Sequence, residues 1–380
     1  MKIRSLRLQD VRFGNQWFDE VEDHWDYDRI KADPRWRAGW ISFDCAAYDS
    51  RDDRVYLGIT SLAADIFKAY DRRSGRFVDL GYKSVADPFD AKFHRSLLKG
   101  PDGGIYAAIA LLHDADRFFE APGGAVVRYD PASGHIAKLG IPLPHVYIQS
   151  MVTDLTGTKL YCVCFAPERV AMFDLKTGKG RDLGPISGYG GAMGENLVVD
   201  DAGFVWLGWS VTRAWQNEPG VDANRLCRID PHTDRIEFFT TGLPRPDGKH
   251  GTVKPEAFFN LRDGLLYASG GNGSLYRIDP RTAEATYLFT PVADRPSRLT
   301  SLALAADGCA YGVTGKQGTC EILRFDFKAG RYELLGPVVD PDGEPCWQIH
   351  DICVTDDGVL YACENDNPRR SSYLWEIRLD

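Results

Sequence analysis

The stretch FHRSLLKGPDGGIY, residues 93–106, contains the repeating unit of this 380-residue sequence. An apolar segment leads into an Asp/Gly turn, and an apolar residue followed by an aromatic residue comes after the turn. This pair occurs seven times, 44 to 61 residues apart, which exceeds a leucine-rich or helix-pair repeat and fits one propeller blade. The pairs are Val55-Tyr56, Ile105-Tyr106, Leu160-Tyr161, Val205-Trp206, Leu266-Tyr267, Ala310-Tyr311 and Leu360-Tyr361.

A second signal follows each of the first six pairs, an apolar strand that ends in Asp and a tight turn. Examples are Tyr70-Asp71 leading to Gly75 and Phe173-Asp174 leading to Gly178. Asp accepts hydrogen bonds from its own turn, and Gly supplies the positive φ that a tight hairpin needs. Each unit is thus predicted to form four short antiparallel strands, and seven units predict an all-β protein, a seven-bladed β-propeller. The alternative is a two-domain β protein.

The last repeat ends with SYLWEI, residues 372–377, which is its third strand. Residues 2–9 can supply the fourth strand and leave no open edge. We therefore predict one propeller domain over residues 1–380, with residues 2–9 as the closing strand and residues 40–380 as the blades. Residues 10–39 form an aromatic-rich insertion, which is either a structural cover or an aromatic platform beside a ligand site. Its aromatic residues include Trp17, Phe18, Trp25, Tyr27 and Trp36.

Composition excludes several classes of partner. The net charge is -9 and no run of five basic residues occurs, so a nucleic-acid partner is not expected. No apolar stretch reaches the length of a membrane span, and the start of the chain lacks a secretion signal, so we predict a cytoplasmic protein without a membrane partner. The nine cysteines include no CxxC pair and are predicted to be buried thiols.

One register of the predicted innermost strands is polar in blades two to seven. It holds Arg95, Gln149, Glu195, Glu256, Thr300 and His350. Two positions further on, the same strands hold Leu97, Met151, Leu197, Phe258, Leu302 and Ile352. Because innermost strands line the channel of a propeller, this change predicts a ring of polar side chains at the channel mouth. The alternative is an ordinary water-filled mouth.

Such a ring needs compensating charge, because several carboxylates close together do not all stay ionised in a low dielectric. Arg95 is one compensating group and a cation is the other. The predicted metal ligands are Gln149, Glu195, Glu256 and His350. Their oxygen and nitrogen atoms suit one divalent ion, which is manganese, zinc, magnesium or calcium.

Acid–base and substrate-binding groups are expected at the same face. The predicted catalytic residues are His94, His113, Tyr147 and His350, with purely structural roles as the alternative. The predicted substrate-binding residues are Arg95, Gln149, Asn196, Arg213 and Trp215. For Arg213 and Trp215, in the long loop of blade four, a rim salt bridge is the alternative. No nucleotide cofactor is expected, since GxxxxGK[ST] and strand-linked GxGxxG motifs are absent, and so is GxSxG.

Residues 93–106 and 194–206 resemble the lyase-type seven-bladed propellers. This group includes streptogramin lyase-like proteins and propeller polysaccharide lyases and glycosidases, and the resemblance covers residues 40–380. Members that degrade uronic-acid oligosaccharides pair His or Tyr acid/base groups with an Arg or a metal that neutralises the substrate carboxylate. The resemblance implies the first role for His94, His113 and Tyr147, and the second for Arg95 or Arg213. One departure is that blade three has Cys164-Phe165-Ala166 where several such lyases have an arginine.

The sequence therefore predicts a carbohydrate-active enzyme, a lyase that cleaves a uronic-acid-containing oligosaccharide by β-elimination. Abstraction of the proton beside a carboxylate needs that charge to be offset and a base within hydrogen-bond reach. One alternative is a glycoside hydrolase that uses Glu195 and Glu256 as its carboxylate pair. Another is a non-catalytic propeller that binds a protein or a small molecule, since fold alone does not determine function.

Overall fold

The computed structural model describes residues 1–13, 27–165, 167–187, 194–210 and 224–379. In these ranges the strands form successive antiparallel sheets that correspond to the seven predicted blades. The first part of the chain contains β1 (Lys2–Leu6), the helices α1 (Tyr27–Ala32) and α2 (Pro34–Gly39), and blade one with β2 (Ile41–Asp49), β3 (Arg54–Ser61), β4 (Phe67–Asp71) and β5 (Arg76–Asp79). Blade two contains β6 (Asp90–Phe93), β7 (Leu98–Lys99), β8 (Ile105–Leu111), β9 (Val126–Asp130) and β10 (His135–Gly140).

The remaining blades follow in chain order. Blade three contains β11 (Tyr147–Thr153), β12 (Lys159–Phe165), β13 (Arg169–Asp174) and β14 (Lys179–Pro185), and blade four contains β15 (Val198–Val199), β16 (Val205–Ser210), β17 (Asn224–Asp230) and β18 (Arg235–Phe238). A hairpin of β19 (Leu243–Pro244) and β20 (Thr252–Val253) precedes blade five, with β21 (Pro255–Phe259), β22 (Leu266–Gly270), β23 (Leu275–Asp279) and β24 (Glu284–Phe289). Blade six contains β25 (Leu302–Leu304), β26 (Ala310–Thr314), β27 (Glu321–Asp326) and β28 (Arg331–Pro337), and blade seven contains β29 (Ile349–Val354), β30 (Val359–Glu364) and β31 (Leu374–Arg378).

The N-terminal strand completes the last blade. Strand β1 pairs antiparallel with β31, with Ile3 opposite Ile377 and Leu6 opposite Leu374. The sheet order is β1-β31-β30-β29, so the predicted closure of the ring is confirmed. Because β1 covers the outer edge of β31, the hydrogen-bonding groups on that edge are paired.

The repeated aromatic residue has a structural role in each blade. All seven of these side chains are buried. In blade one the Tyr56 hydroxyl donates to Asp52 Oδ2 at 2.5 Å, and in blade five the Tyr267 hydroxyl donates to Asp263 Oδ2 at 2.7 Å. The acceptor lies four residues earlier, in the turn that starts the strand, so the ring packs in the core while its hydroxyl fixes the turn. Tyr106 and Tyr311 make the same bond in blades two and six, which explains why the turn and the aromatic residue recur together in these four blades.

The other sequence-based expectations concern the cysteines and the insertion. All nine cysteines are buried and free, as predicted. In the described part of the insertion, Phe13, Tyr27, Ile30 and Trp36 form one buried cluster with the adjacent Trp40. The insertion residues Trp17, Phe18 and Trp25 lie outside the described residues. Among the helices that the structure describes, none has the length and apolar character needed to cross a membrane.

Replacement of Trp375 with alanine tests whether the closing blade belongs to the cooperative fold. The Trp375 side chain on β31 is fully buried in the cluster of blades six and seven. We expect the free energy of unfolding, measured with urea, to fall by about 3–5 kcal/mol, because a large buried side chain is lost and a cavity remains. Phe119→Ala is the control, since Phe119 is 80% exposed. An equal, small effect of both substitutions would show that the closing blade unfolds separately.

Candidate functional site

Bulges in the innermost strands carry the polar residues of the channel. The pairing of β2, β11, β21 and β29 with the next strand each skips one residue. The skipped residues are Asp44, Gln149, Glu256 and His350. A bulge leaves its extra residue outside the ladder and re-aims the side chain, which is a frequent device beside functional sites. The polar register predicted from the turns therefore corresponds to a repeated backbone irregularity.

Blade two differs, because two residues interrupt its innermost strand. Phe93 pairs with Ile109, and the next contact is the Ser96 hydroxyl on the backbone of Ala108, so His94 and Arg95 both lie between. His94 takes the place predicted for Arg95, with its Nδ1 2.8 Å from the carbonyl of Gln149. The extra residue reverses the direction of the side chains that precede it in the strand. A register counted back from the turn cannot detect this change.

Arg95 points away from the channel residues His94, Glu195 and His350, which lie close together. Its Nη1 donates to the carbonyls of Thr300 and His350, both at 2.7 Å, and its Nη2 lies 3.3 Å from Asp351 Oδ1. Arg95 and Asn196 line a separate cavity of about 530 Å³. The Asn196 amide bonds the backbone of Phe258 in the next blade, donating at 2.9 Å and accepting at 2.8 Å. Arg95 and Asn196, two of the predicted substrate ligands, are therefore not among the residues that line the cleft beside His94 and Tyr147.

Three potential metal ligands converge in the channel, namely His94, Glu195 and His350. Glu195 Oε2 lies 2.8 Å from His350 Nε2 and 3.6 Å from His94 Nε2. The imidazole centroids are 4.4 Å apart, and one donor atom from each residue lies within 4.8 Å of the others. Gln149 joins them, with its Nε2 donating to His94 Nε2 at 3.2 Å. Of the four predicted metal ligands, Gln149, Glu195 and His350 are therefore brought together, and His94 is added.

The hydrogen bonds of the two imidazoles fix their protons. His94 Nδ1 donates to the Gln149 carbonyl at 2.8 Å, and His350 Nδ1 donates to the Asp44 carbonyl at 2.7 Å. Because a carbonyl only accepts, Nδ1 carries the proton and Nε2 of the neutral ring has a lone pair. Burial, and then the charge of Lys92, hold the pKa of His94 well below its usual range. The contact between His350 Nε2 and the Glu195 carboxylate therefore requires a second proton on His350 or a cation between them.

Arg298 orients Glu195 and was not predicted from the sequence. Its Nη2 donates to Glu195 Oε1, and its Nε donates to Glu256 Oε1 at 2.6 Å. Burial alone raises the pKa of Glu195, but Arg298 and then His350 outweigh it and hold that pKa well below its ordinary value. Glu195 is thus ionised, with one oxygen on Arg298 and the other facing the imidazoles. Glu256, predicted as a metal ligand, bonds Arg298 instead of joining the imidazoles.

A partly buried lysine beside the cluster was also missed. Lys92 Nζ lies 3.0 Å from Oδ1 of the fully buried Asp44, whose Oδ2 accepts from the Thr60 hydroxyl at 2.7 Å. Burial lowers the pKa of Lys92, but Asp44 and then Asp366 outweigh it, so the pKa is raised and the amine stays charged. Around the channel end the described residues thus place four carboxylates against two cations. The carboxylates are Asp44, Glu195, Glu256 and Asp366, and the cations are Lys92 and Arg298.

A cleft of about 520 Å³ opens onto this cluster and contains several of the predicted catalytic residues. The polar residues that line it include Lys92, His94, His113, His145, Tyr147 and Gln149. His113 Nδ1 donates to the Asp114 carbonyl at 2.9 Å, and His145 Nδ1 donates to the Ala121 carbonyl at 2.8 Å, which leaves both Nε2 atoms as acceptors. Burial, and then the charge of Glu195, raise the pKa of Tyr147, so its hydroxyl stays protonated. Arg213 and Trp215 lie outside the described residues.

Comparison with protein-family models and with curated proteins gives no match. Solved structures do match. Virginiamycin B lyase from Staphylococcus aureus superposes with a TM-score of 0.63 at 14% identity, covering 89% of this chain and 95% of that one. A catalytically inactive histidine-to-alanine variant of that lyase with quinupristin gives a TM-score of 0.63 at 12% identity, covering 100% of both chains. The WD40 repeats of RRP9 give 0.60 at 10% identity, covering 100% of this chain and 98% of that one.

These similarities confirm the fold predicted from the sequence, a lyase-like β-propeller. The same fold occurs in the WD40 domain, so at these identities the comparison shows the fold alone. The function must therefore be argued from the cleft and its cluster of ionisable groups.

Proposed function

We propose that this protein is a metal-dependent lyase that acts on a small molecule bound in the cleft lined by His94, His113 and Tyr147. The observation that carries the proposal is the convergence of His94 Nε2, His350 Nε2 and Glu195 Oε2. Both imidazoles present a lone pair to the same point as an ionised carboxylate oxygen. A cation placed there satisfies all three atoms and removes the need for a second proton on His350.

The donor set and the surrounding charge both favour a divalent ion. Two imidazoles and one glutamate form a His₂Glu set, which is typical of catalytic zinc with an open coordination position. The two imidazole nitrogens favour zinc over calcium or magnesium, and the carboxylate oxygen of Glu195 is a ligand type that also suits manganese. The carboxylates around Lys92 and Arg298 outnumber these two cations, so the local charge favours a further cation, although burial raises the pKa of Asp44. Gln149 lies beside His94 and turns its amide Nε2 toward His94 Nε2, so it belongs to the surroundings of the site.

The proposed reaction is an elimination beside a carboxylate. A metal ion at the cluster would bind the substrate carboxylate and offset the negative charge that develops on it. An imidazole Nε2, of His113 or His145, takes the proton from the carbon next to the carboxylate. The electron pair of that C–H bond forms the C=C bond, and the bond to the leaving oxygen breaks. Tyr147 supplies the proton for the leaving oxygen, and the charge of Lys92 stabilises the developing anion.

The alternatives predicted from the sequence receive less support. Glycoside hydrolysis by Glu195 and Glu256 needs one carboxyl as an acid, yet Arg298 bonds both and Glu195 is ionised. The lyase class is supported by the structural similarity to virginiamycin B lyase. A uronic-acid oligosaccharide fits the proposed chemistry, because it carries a carboxylate beside the acidic proton. That substrate remains a prediction which the assay below tests directly.

The experiment combines metal analysis with an elimination assay. We expect the purified protein, loaded with zinc or manganese, to retain near-stoichiometric metal after dialysis. We also expect it to form an unsaturated product from a carboxylate-bearing substrate, which is followed by ultraviolet absorbance, and a chelator should stop the reaction. Uronic-acid oligosaccharides are one substrate panel and aryl-substituted hydroxy acids are a second. Metal binding without elimination in either panel would contradict the lyase, and the absence of both would favour a binding propeller.

A further inference from the structure

We propose that the substrate of this cleft is a carboxylate with a flat, apolar body, of the arylalkanoate class. The inference deepens the proposed function and rests on it, since the metal ion and Lys92 would hold the carboxylate. It differs from the sequence-based expectation of a polyhydroxylated sugar acid. The apolar walls of the cleft, the polar groups that are already paired and the volume of the cleft all favour such a body.

Aromatic and aliphatic side chains form most of the wall. Tyr27 and Trp40 stack with an angle of 4° between their planes and 6.5 Å between centroids. Phe165 also lines the cleft and packs on Tyr147 with centroids 5.3 Å apart, and Phe118 is a further aromatic lining residue. Ala110, Leu111 and Leu112 complete the apolar surface. Aromatic faces of this kind bind a flat ring through dispersion and burial of apolar area.

Several polar groups at the cleft are bonded within the protein. The Thr60 hydroxyl donates to Asp44, and the Gln149 amide donates to His94. Asp366 Oδ1 accepts from Ser42 at 3.0 Å, and its Oδ2 accepts from Asn365 at 2.8 Å. A sugar has several hydroxyls, and each one buried without a partner lowers affinity by about five- to hundredfold. The remaining polar groups suit one carboxylate and one leaving oxygen better than a ring of hydroxyls.

The size and charge of the cleft agree with this class. Its volume of about 520 Å³ is within the range for one small ligand, which is about 300–1,000 Å³. A divalent ion bound at the cluster would add positive charge to that of Lys92 and Arg298 at this end of the channel. That added charge favours the binding of one anionic group on the ion.

The test compares three probes on the metal-loaded protein by isothermal titration calorimetry. The probes are 3-phenylpropionate, propionate and galacturonate, which share a carboxylate and differ in the body attached to it. We expect 3-phenylpropionate to bind at least about tenfold more tightly than either of the others, because burial of the phenyl ring is the only large difference from propionate. Galacturonate binding as tight as that of 3-phenylpropionate, or no measurable binding of 3-phenylpropionate, would overturn the inference.

Neighbouring phenylalanines supply a matched pair of variants. Phe118 lines the cleft, whereas Phe119 is 80% exposed and is not part of the lining. We expect Phe118→Ala to lose about tenfold in affinity for 3-phenylpropionate and little for propionate. Phe119→Ala removes a ring that packs edge-on against Phe118 and His145 without lining the cleft, so it should lose much less. Phe165→Leu is a second variant at another aromatic lining residue, in case Phe118→Ala disturbs the fold. A phenyl preference that survives both Phe118→Ala and Phe165→Leu would overturn the proposed wall.

Failure of the proposed function can be distinguished from failure of this inference, because the two give different results. If neither zinc nor manganese binds, the metal-dependent reaction is excluded. The same three probes, titrated into the protein without added metal, then still decide whether the cleft prefers a flat apolar body. A galacturonate affinity equal to or above that of 3-phenylpropionate there overturns the inference as well.

Discussion

Replacement of Glu195 with glutamine should abolish stoichiometric zinc or manganese binding and, with it, turnover. The substitution keeps the shape and one oxygen but removes the charge that faces His94 and His350 at 3.6 and 2.8 Å. Loss of an outer partner of a ligand costs about 10–100-fold in metal affinity, so loss of a charged ligand should cost at least about a hundredfold. The measurement is the metal dissociation constant by calorimetry, with circular dichroism to confirm folding.

Glu256→Gln is the matched control for this prediction. Glu256 occupies the equivalent bulge of blade five and shares Arg298 with Glu195, but it does not belong to the converging group. We expect this variant to keep metal affinity within about tenfold of the parent protein, since it changes only an outer hydrogen bond. Equal losses in Glu195→Gln and Glu256→Gln would contradict the assignment of Glu195 as the ligand.

Replacement of Arg298 with methionine is expected to lower the free energy of unfolding by about 3–5 kcal/mol at neutral pH. The substitution leaves Glu195 and Glu256 without the guanidinium that bonds both, and an uncompensated buried charge is strongly destabilising. Urea unfolding of the metal-free protein measures the loss. Arg295→Met is the control, because the pair of Arg295 with Glu321 is partly exposed and should contribute at most about 1 kcal/mol. A similar small loss in both variants would contradict the role of Arg298.

The same variant should change the pH dependence of metal binding. In the parent protein the pKa of Glu195 lies below its ordinary value of 4.5, so its contribution to stability is complete above that pH. This contribution is lost as the pH falls through the lowered pKa. Without Arg298, burial raises the pKa of Glu195, so protonation competes with the metal at a higher pH. We expect Arg298→Met to lose metal affinity as the pH falls from 7 toward 5, whereas the parent protein should show no loss from Glu195 in that range.

The fold was predictable because its signals are local. Each blade contains a turn followed by a buried aromatic residue, and in blades one, two, five and six that residue bonds an aspartate four positions earlier, as in Tyr56 with Asp52. The closing strand followed from counting strands in the last repeat, and it pairs with β31 as predicted. Such features depend on residues close in sequence, so they need no knowledge of the tertiary structure.

The polar ring was predicted only in part, because its register depends on bulges. Counting from the turn places Gln149, Glu195 and His350 in the register that faces the channel, as the structure does. Blade two has one more residue in its bulge, so His94 faces the channel where Arg95 was predicted. Asp44 was missed because the count did not include blade one, although its bulge is equivalent. The length of a bulge reflects how neighbouring blades meet, which the local sequence does not specify.

Lys92 and Arg298, the two cations that were not predicted, differ in how clearly the sequence indicated them. Lys92 lies two positions before His94 in a mostly buried strand, and a lysine among apolar residues there was a signal for a buried ion pair. Arg298 precedes the polar register of blade six by two positions, outside the repeat. Its contacts with Glu195 and Glu256, 103 and 42 residues away in sequence, arise only when the ring closes.

The central claim is that His94, Glu195 and His350 form a centre for one divalent metal ion, and anomalous X-ray diffraction tests it most directly. Crystals of the protein loaded with zinc should be measured on both sides of the zinc absorption edge. We predict one anomalous peak about 2.0–2.2 Å from His94 Nε2, His350 Nε2 and a Glu195 oxygen. A loaded crystal with no peak there, in which His350 Nε2 remains hydrogen-bonded directly to Glu195, would contradict the account.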